Sequence, residues 1–461
     1  MSIARDSVSL IGAGPTGALL AIFMQRRGMQ VTLYEGRPAP EEGVADSGRS
    51  INLALADRGI HALKLAGVFD DIRDSLIPMH GRFIHQEDGS GSLQPYGQGP
   101  GEVIYSISRQ RLNHALLRVA LRQPRVRVEF EHRLEDADFE ARVAHVRDLR
   151  RDLVRDVPMQ PLVATDGAGS LMRRRMAAHG LIAARELDLE HGYKELAVPA
   201  GPHGSYRMAR EALHIWPRGG YMLIALPNED GSFTATLFLP MRGPLSFASL
   251  SGAAAIERFL TEKFPDARRL MPNCVSEFQS NPTGFLGTVY AVGWHTQGTA
   301  ALVGDSAHAI VPFHGQGMNC CFEDVVEFDA CIARCSSWES VFAEFYAVRK
   351  PNTDAIAAMA LDNYLEMREL VADPKFQLQQ ALALELERRF PRRFIPRYSM
   401  VMFHHEISYH TAQQRGIVQA QLLADLCSGA AALSDIDYGR AEREIESRLG
   451  PIHDLSSVMK L

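Results

Sequence analysis

The sequence predicts an α/β fold: a Rossmann-like dinucleotide-binding domain, a mixed or antiparallel-sheet substrate domain, and a C-terminal helical region. Three observations predict it. A glycine-rich turn joins a strand to a helix near the N-terminus, a second strand-turn-helix lies at 301–324, and strand-length alternation fills 187–239.

The first turn is Gly12-Ala13-Gly14-Pro15-Thr16-Gly17, preceded by the apolar run Val8-Ser9-Leu10-Ile11 and followed by a helix over about 18–27. Gly12 permits the tight turn, Gly14 admits a pyrophosphate, and Gly17 lets helix and sheet approach. A second strand, Val31-Thr32-Leu33-Tyr34, ends at Glu35, 23 residues after the first glycine. A carboxylate there accepts from a free ribose 2′-hydroxyl and repels a 2′-phosphate, so the site suits the adenosine of FAD or NAD, and NADPH must bind elsewhere.

In the second unit of this kind, Ala301-Leu302-Val303 stops at Gly304, which leaves Asp305 at the carboxyl end of the strand, where open α/β sheets bind ligands. Its carboxylate can accept from hydroxyls such as those of a ribityl chain. Gly315 to Asn319 then lets backbone approach a flat ligand and opens a helix whose first amides face it.

At 461 residues and 46% hydrophobic, the chain can bury more than one core. Its net charge of −6, without a basic tract, argues against nucleic acid. No signal or transit pattern precedes Val8, and no apolar run reaches the roughly 18 residues of a membrane span, so a cytoplasmic protein is expected. The cysteines at 321, 331 and 335, with Val325 and Phe328, fall at helical spacings that predict one buried face, and zinc-ribbon spacing is missing; neither metal nor disulfide is expected.

Between the two turns, 80–85 and 93–97 read as paired strands around the turn at 87–91. Arg82 and Tyr96 on them can grip a carboxylate, although taken alone Arg82 reads as a surface residue. A helix follows Arg109, whereas 131–161 is charged and lacks the strand alternation expected there. Order returns at Leu162-Val163-Ala164-Thr165-Asp166-Gly167. The sheet at 187–239 has turns at Gly219-Gly220 and Asp230-Gly231, and Phe238 is as readily core as pocket wall. Helices are expected at 341–349 and 354–371, separated by Pro351; bare, Asn363 reads as a solvated helix polar and Tyr398 as a core aromatic.

The motifs at 8–35, 162–173 and 301–324, in this order, resemble those of the flavoprotein aromatic hydroxylase family, which includes para-hydroxybenzoate hydroxylase. The text GRSINLAL at 48–55 and the segments 82–97, 363–367 and 393–400 resemble its kynurenine-hydroxylating members of the soluble bacterial type. The resemblance implies FAD, with NADPH as transient co-substrate and O₂ as oxidant. Through a flavin C4a-hydroperoxide, one oxygen would reach L-kynurenine beside its aromatic amine. It places Gly12, Gly14, Thr16, Gly17, Glu35, Arg37, Ala54, Arg109, Leu134, Asp166, Asp305, Gly317, Met318 and Asn319 at the cofactor. It gives Arg82, Tyr96, Asn363 and Tyr398 to the substrate, with Phe238, Phe313, His314 and Met367 lining the pocket, and no residue to covalent catalysis. FAD-binding parts are then expected at 1–75, 106–180 and 286–345, substrate-domain parts at 76–105 and 181–285, and a helical region completing the pocket at 346–461. A monomer or homodimer is expected. Three alternatives remain: a hydroxylase of another aromatic acid, a saturating reductase of the same fold that consumes NADPH without O₂, and a non-catalytic FAD-binding redox sensor.

Overall fold

The strand Ser7–Ile11 sits inside a parallel sheet, hydrogen-bonded to Gln30–Glu35 on one side and Leu162–Ala164 on the other. Val126–Phe130 extends the sheet beyond Gln30–Glu35, and Ala300–Leu302 extends it beyond Leu162–Ala164. Such a sheet is covered on both faces, which is why its central strands read as continuous apolar runs. The helix Pro15–Arg26 buries every residue from Gly17 to Met24. The structure is a computed structural model and describes residues 7–40, 52–99, 101–371 and 373–452; Gly48, Arg49, Ser50 and Ile51 of the GRSINLAL text lie outside the described residues.

By its internal contacts the chain forms two compact units, the first comprising 1–76, 107–189 and 286–357, the second 77–106, 190–285 and 358–461. In the first unit, 131–161 corrects the sequence reading. His132–Asp138, Val143–Asp148 and Leu153–Pro158 form an antiparallel sheet, and the middle strand alternates half-buried with buried residues throughout. The alternation hid because Ala144 and Asp148 occupy buried positions; Asp148 is held below the usual carboxylate range, since backbone amides of Arg150 and Arg151 and nearby cations outweigh the effect of burial.

The second unit holds a mixed sheet. Residues 191–198 pair antiparallel with Phe233–Pro240, which pairs with Met222–Pro227, and that strand with Ala212–Pro217. Ala212–Pro217 then runs parallel to Gly81–His85, whose antiparallel neighbour is Gly91–Pro95. One face packs Trp216, Leu223, Phe233, Leu237 and Leu239 against Phe259, Leu260 and Phe264.

Two helical expectations change. Trp338–Leu365 is one helix with Pro351 inside it, followed by a wider turn over Glu366–Leu370. Within it Ile356, Met359 and Ala360 are fully buried, and that burial outweighs the roughly 3 kcal/mol that an interior proline costs. In Gly317–Arg334 the residues Cys321, Val325, Phe328 and Cys331 do form a buried face, whereas Cys335 lies past the helix end and is half-buried.

Candidate functional site

The first unit builds a cradle around the glycine turn. Gly12 holds φ +98°, and a Cβ there would stand 2.6 Å from the Thr165 carbonyl oxygen. A Cβ on Gly17 would meet the Gly12 carbonyl at 2.0 Å, whereas one on Gly14 would meet nothing within 4 Å, which leaves open space beside that backbone for a ligand. Thr165 directly follows the strand Leu162–Ala164. Its hydroxyl is 3.0 Å from the Ile11 carbonyl and 2.8 Å from that of Gly12, tying the turn to the neighbouring strand end.

Glu35 ends its strand with its carboxylate aimed back at the turn, accepting from Ala13 N at 2.8 Å and from Arg37 N and Nε at 2.8 and 2.9 Å. Burial raises its pKa, but the Arg37 bonds outweigh this and hold it below the usual range. Thr16 lies in the first turn of Pro15–Arg26, one residue from Gly17. Leu134 is buried in the three-stranded sheet opposite Val146, three residues beyond the Glu131 amide that donates to the Arg37 carbonyl. Asp166 accepts from Met172 N at 3.2 Å through one oxygen; its other oxygen is buried with no partner among the described residues. Arg109 is the exposed first residue of Arg109–Leu121.

The second turn meets the same unit. Gly304 adopts φ +72° and hands over to the short helix Asp305–His308, with Asp305 half-buried at its start. Gly317 and Met318 open the helix Gly317–Arg334. Asn319, in its first turn, donates to the carbonyls of Ala54 and Gly315 at 2.8 and 2.9 Å and accepts from Ala56 N at 2.9 Å. This one amide therefore fastens the Ala54 strand to the glycine turn, which explains why asparagine follows the glycines. Phe313 and His314 are buried in the short turn Pro312–His314 of this unit.

In the second unit the structure brings three predicted residues together. Arg82 and Tyr96 lie diagonally on one face of the hairpin, since Arg82 pairs with Gln94. The Arg82 guanidinium sits 4.6 Å from the Tyr398 ring and 5.7 Å from the Tyr96 ring, and the two phenols stack with centroids 5.4 Å apart. Burial pushes both phenols above their ordinary pKa, Tyr96 well above, so they stay protonated donors. Burial alone would lower Arg82, but Tyr398, Tyr96 and Glu366 outweigh it. Arg82 Nε is shielded from water and has no acceptor among the described residues. The surface position that residue type suggested for Arg82 is thereby corrected: the residue is half-buried and its guanidinium faces a stacked pair of rings.

Asn363 is buried, not a solvated polar, and its amide donates to Met367 Sδ at 3.3 Å. Phe238 is buried in the sheet with its ring 6.5 Å from that of Tyr193. Sequence reasoning missed a buried ionic network in the first unit. Asp324 accepts from Arg349 Nε at 2.6 Å and contacts His308 Nε2 at 2.5 Å; Glu323 contacts Arg349 at 2.7 Å and Arg58 at 2.5 Å. These partners are far apart in the chain, and no local pattern marks them.

A pyrophosphate-ready glycine turn, an acid at the second strand end and a carboxylate after the third motif define a flavoprotein of the FAD-binding α/β class. Residues 5–193 match the family described as FAD binding domain. Kynurenine 3-monooxygenase of Stenotrophomonas maltophilia (strain K279a) is 46% identical over 446 residues, covering 97% of this chain and 98% of that protein. The same-named enzyme of Myxococcus xanthus (strain DK1622) is 45% identical over 452 residues, covering 98% and 97%. The chain belongs to the kynurenine 3-monooxygenase family. Among solved structures, a tetrameric form of 2-methyl-3-hydroxypyridine-5-carboxylic acid oxygenase matches with a TM-score of 0.64 at 19% identity, covering 83% of this chain and 97% of that one. Pseudomonas aeruginosa PqsL in complex with 2-aminobenzoylacetate matches with 0.63 at 18%, covering 79% and 97%. At those identities the likeness is one of fold. No helix among the described residues is long and apolar enough to cross a membrane.

Proposed function

We propose that the protein is an FAD-dependent monooxygenase that uses NADPH and O₂ to convert L-kynurenine to 3-hydroxy-L-kynurenine. The observation that carries the substrate is the buried Arg82 Nε–H without an acceptor among the described residues, set beside two protonated phenols. A buried donor needs an acceptor, and an amino-acid carboxylate supplies one of opposite charge. Asn363 and Met367 are assigned to the rest of the substrate, with Phe238, Phe313 and His314 as apolar or polar lining.

FAD, when bound, supplies the electron transfer and oxygen activation that side chains lack. The residues present fit it: Gly14 leaves the open space, Glu35 suits a ribose hydroxyl, and the unpartnered Asp166 oxygen and Asp305 offer acceptors. Gly12, Thr16, Gly17, Arg37, Ala54, Arg109, Leu134, Gly317, Met318 and Asn319 complete the assignment. The protein's own part is to bind, orient and exclude water. NADPH visits from outside the Glu35 pocket, because that carboxylate repels a 2′-phosphate. We assign the reaction to the cytoplasm, in a monomer or homodimer.

The test is NADPH oxidation by the purified flavoprotein in air, with and without L-kynurenine, followed by chromatography of the product. Faster oxidation with 3-hydroxykynurenine formed is the expected result. Oxidation that quickens while only hydrogen peroxide forms removes kynurenine as substrate and points to another aromatic acid. An NADPH rate that kynurenine does not change removes kynurenine as substrate and leaves the FAD-binding fold standing.

A further inference from the structure

The helix Gly317–Arg334 spends its buried polar residues on holding other segments in place. Asn319 holds the Ala54 strand, and two residues later Cys321 Sγ lies 3.4 Å from Asp305 Oδ1. Asp324 completes the series. Its Oδ2 accepts the Gly304 amide at 3.2 Å and contacts His308 Nε2 at 2.5 Å, while Oδ1 accepts Arg349 Nε at 2.6 Å. One fully buried carboxylate thus grips both ends of the short helix Asp305–His308, at the residue before it and at its last residue.

The gripped segment is short and begins at a residue in an unusual conformation. Gly304 adopts φ +72° and ψ −144°, a conformation that favours glycine, and a Cβ there would crowd Thr16 at 3.1 Å and Cys321 at 3.2 Å. A single turn of helix does not hold itself. In the middle of the segment the Ser306 hydroxyl donates to the Ala164 carbonyl and the buried Arg173 guanidinium donates to the Ser306 carbonyl. Among the described residues, Asp324 is what the Gly304 amide preceding Asp305 donates to.

We infer that Asp324 is a positioning residue for the flavin: by clamping Gly304 and His308 it aims the Asp305 carboxylate at the hydroxyls of the cofactor. The inference rests on the FAD reading of this site. Arg349 makes the arrangement possible. Burial alone would raise the Asp324 carboxyl, but His308 and Arg349 outweigh it and hold the group below the usual range, so it stays an acceptor-only anion. Glu323, beside it on the same helix, takes the other side of Arg349 and also Arg58, and touches none of the residues 304–308 in any described bond. Two neighbouring carboxylates therefore share one network and differ in whether they reach the flavin turn.

That difference supplies the experiment. FAD dissociation from the holoenzyme is followed by flavin fluorescence after dilution, alongside the visible spectrum and thermal melting, for the parent, Asp324→Asn, Glu323→Gln and His308→Gln. A parent that retains no FAD ends the FAD reading itself, before any variant is consulted. Given a yellow parent, Asp324→Asn is expected to raise the FAD dissociation constant about tenfold or more and to shift the visible band, because an amide presents one acceptor where three donors converge. Glu323→Gln is expected to lower the melting temperature and leave the dissociation constant within about twofold. His308→Gln keeps a donor, unlocks one end of the segment, and is expected to weaken FAD measurably without loss of fold; it carries the test if Asp324→Asn does not fold. Equal weakening of FAD by Glu323→Gln and Asp324→Asn, or parent-like FAD binding in folded His308→Gln and Asp324→Asn, overturns the inference.

Discussion

Replacing Arg82 with alanine separates a carboxylate-binding role from a structural one. Two parallel charge-assisted hydrogen bonds are worth roughly 1.5–3 kcal/mol each, and after competition with water a grip of about 3–4 kcal/mol remains. That corresponds to a rise in the L-kynurenine dissociation constant of roughly two to three orders of magnitude. The guanidinium also faces two rings at 4.6 and 5.7 Å, so the fold itself loses about 1–2 kcal/mol of cation–π attraction. Calorimetric titration of the oxidised holoenzyme reads the first quantity and thermal melting the second. Arg82→Lys keeps the charge and loses the planar fork, and should fall between parent and alanine.

An analogue of kynurenine without its α-carboxylate closes the cycle. Parent protein should bind it as weakly as Arg82→Ala binds kynurenine, and the substitution should then cost the analogue little. If Arg82→Ala weakens the analogue as much as kynurenine, the arginine acts through its neighbours' packing, and the carboxylate assignment fails.

Three further outcomes are expected. Gly17→Ala drives a methyl to within 2.0 Å of the Gly12 carbonyl and 2.6 Å of the Thr165 hydroxyl, so the purified protein should lose most of its visible flavin absorbance at the cost of about 1–3 kcal/mol that overpacking carries; full retention of flavin would show that the turn is not at the cofactor. Burial, against the pull of the Ala209 carbonyl, lowers His214 to about 4. Its folded pKa lies below its unfolded value near 6.5, so its contribution is intact above that value and disappears as pH falls toward 4, a loss of ~3 kcal/mol. Denaturant unfolding of His214→Gln at pH 7 and pH 4.5 should show a smaller drop than the parent, and an equal drop would refute the assignment. His314→Gln should hydroxylate within about tenfold of the parent, since loss of a general base typically costs a hundredfold or more; abolished hydroxylation with flavin still bound would give His314 a catalytic part.

What was legible in the sequence is chemistry held by contiguous residues. The turn from Gly12 to Gly17 carries its own geometry, and the structure adds that Thr165 and Glu35 fasten it. The strands at 131–161 were illegible because their exposed positions are crowded with arginine and aspartate, and Arg147 alone contacts both Glu135 and Asp152. Charge there reflects cross-strand pairing, which periodicity of hydrophobic residues does not reveal. The Asp324 network was illegible for a different reason: Arg349 and Arg58 arrive from distant helices, so each looks like an ordinary helix-surface charge until the fold buries it.

The substrate trio shows how little separates these two cases. Arg82 and Tyr96 share a face only because the hairpin closes with Gly81 opposite Pro95, a register fixed at its tip where Gln86 N donates to the Ser90 carbonyl at 2.9 Å and Asp88 accepts from Ser90 N at 2.8 Å. The side-chain period of a strand is two, so a slip of one residue would send Tyr96 to the opposite face from Arg82. The turn residues Glu87 to Gly91 therefore act on the recognition site without touching it. Their composition was readable as a turn, and its consequence for the arginine–tyrosine pair follows from register. Tyr398 comes from another part of the chain, and its place over the guanidinium comes from the later helix Arg397–Phe403, where Arg397 bonds Asp362 at 3.2 Å and also Glu366, whose charge in turn steadies Arg82.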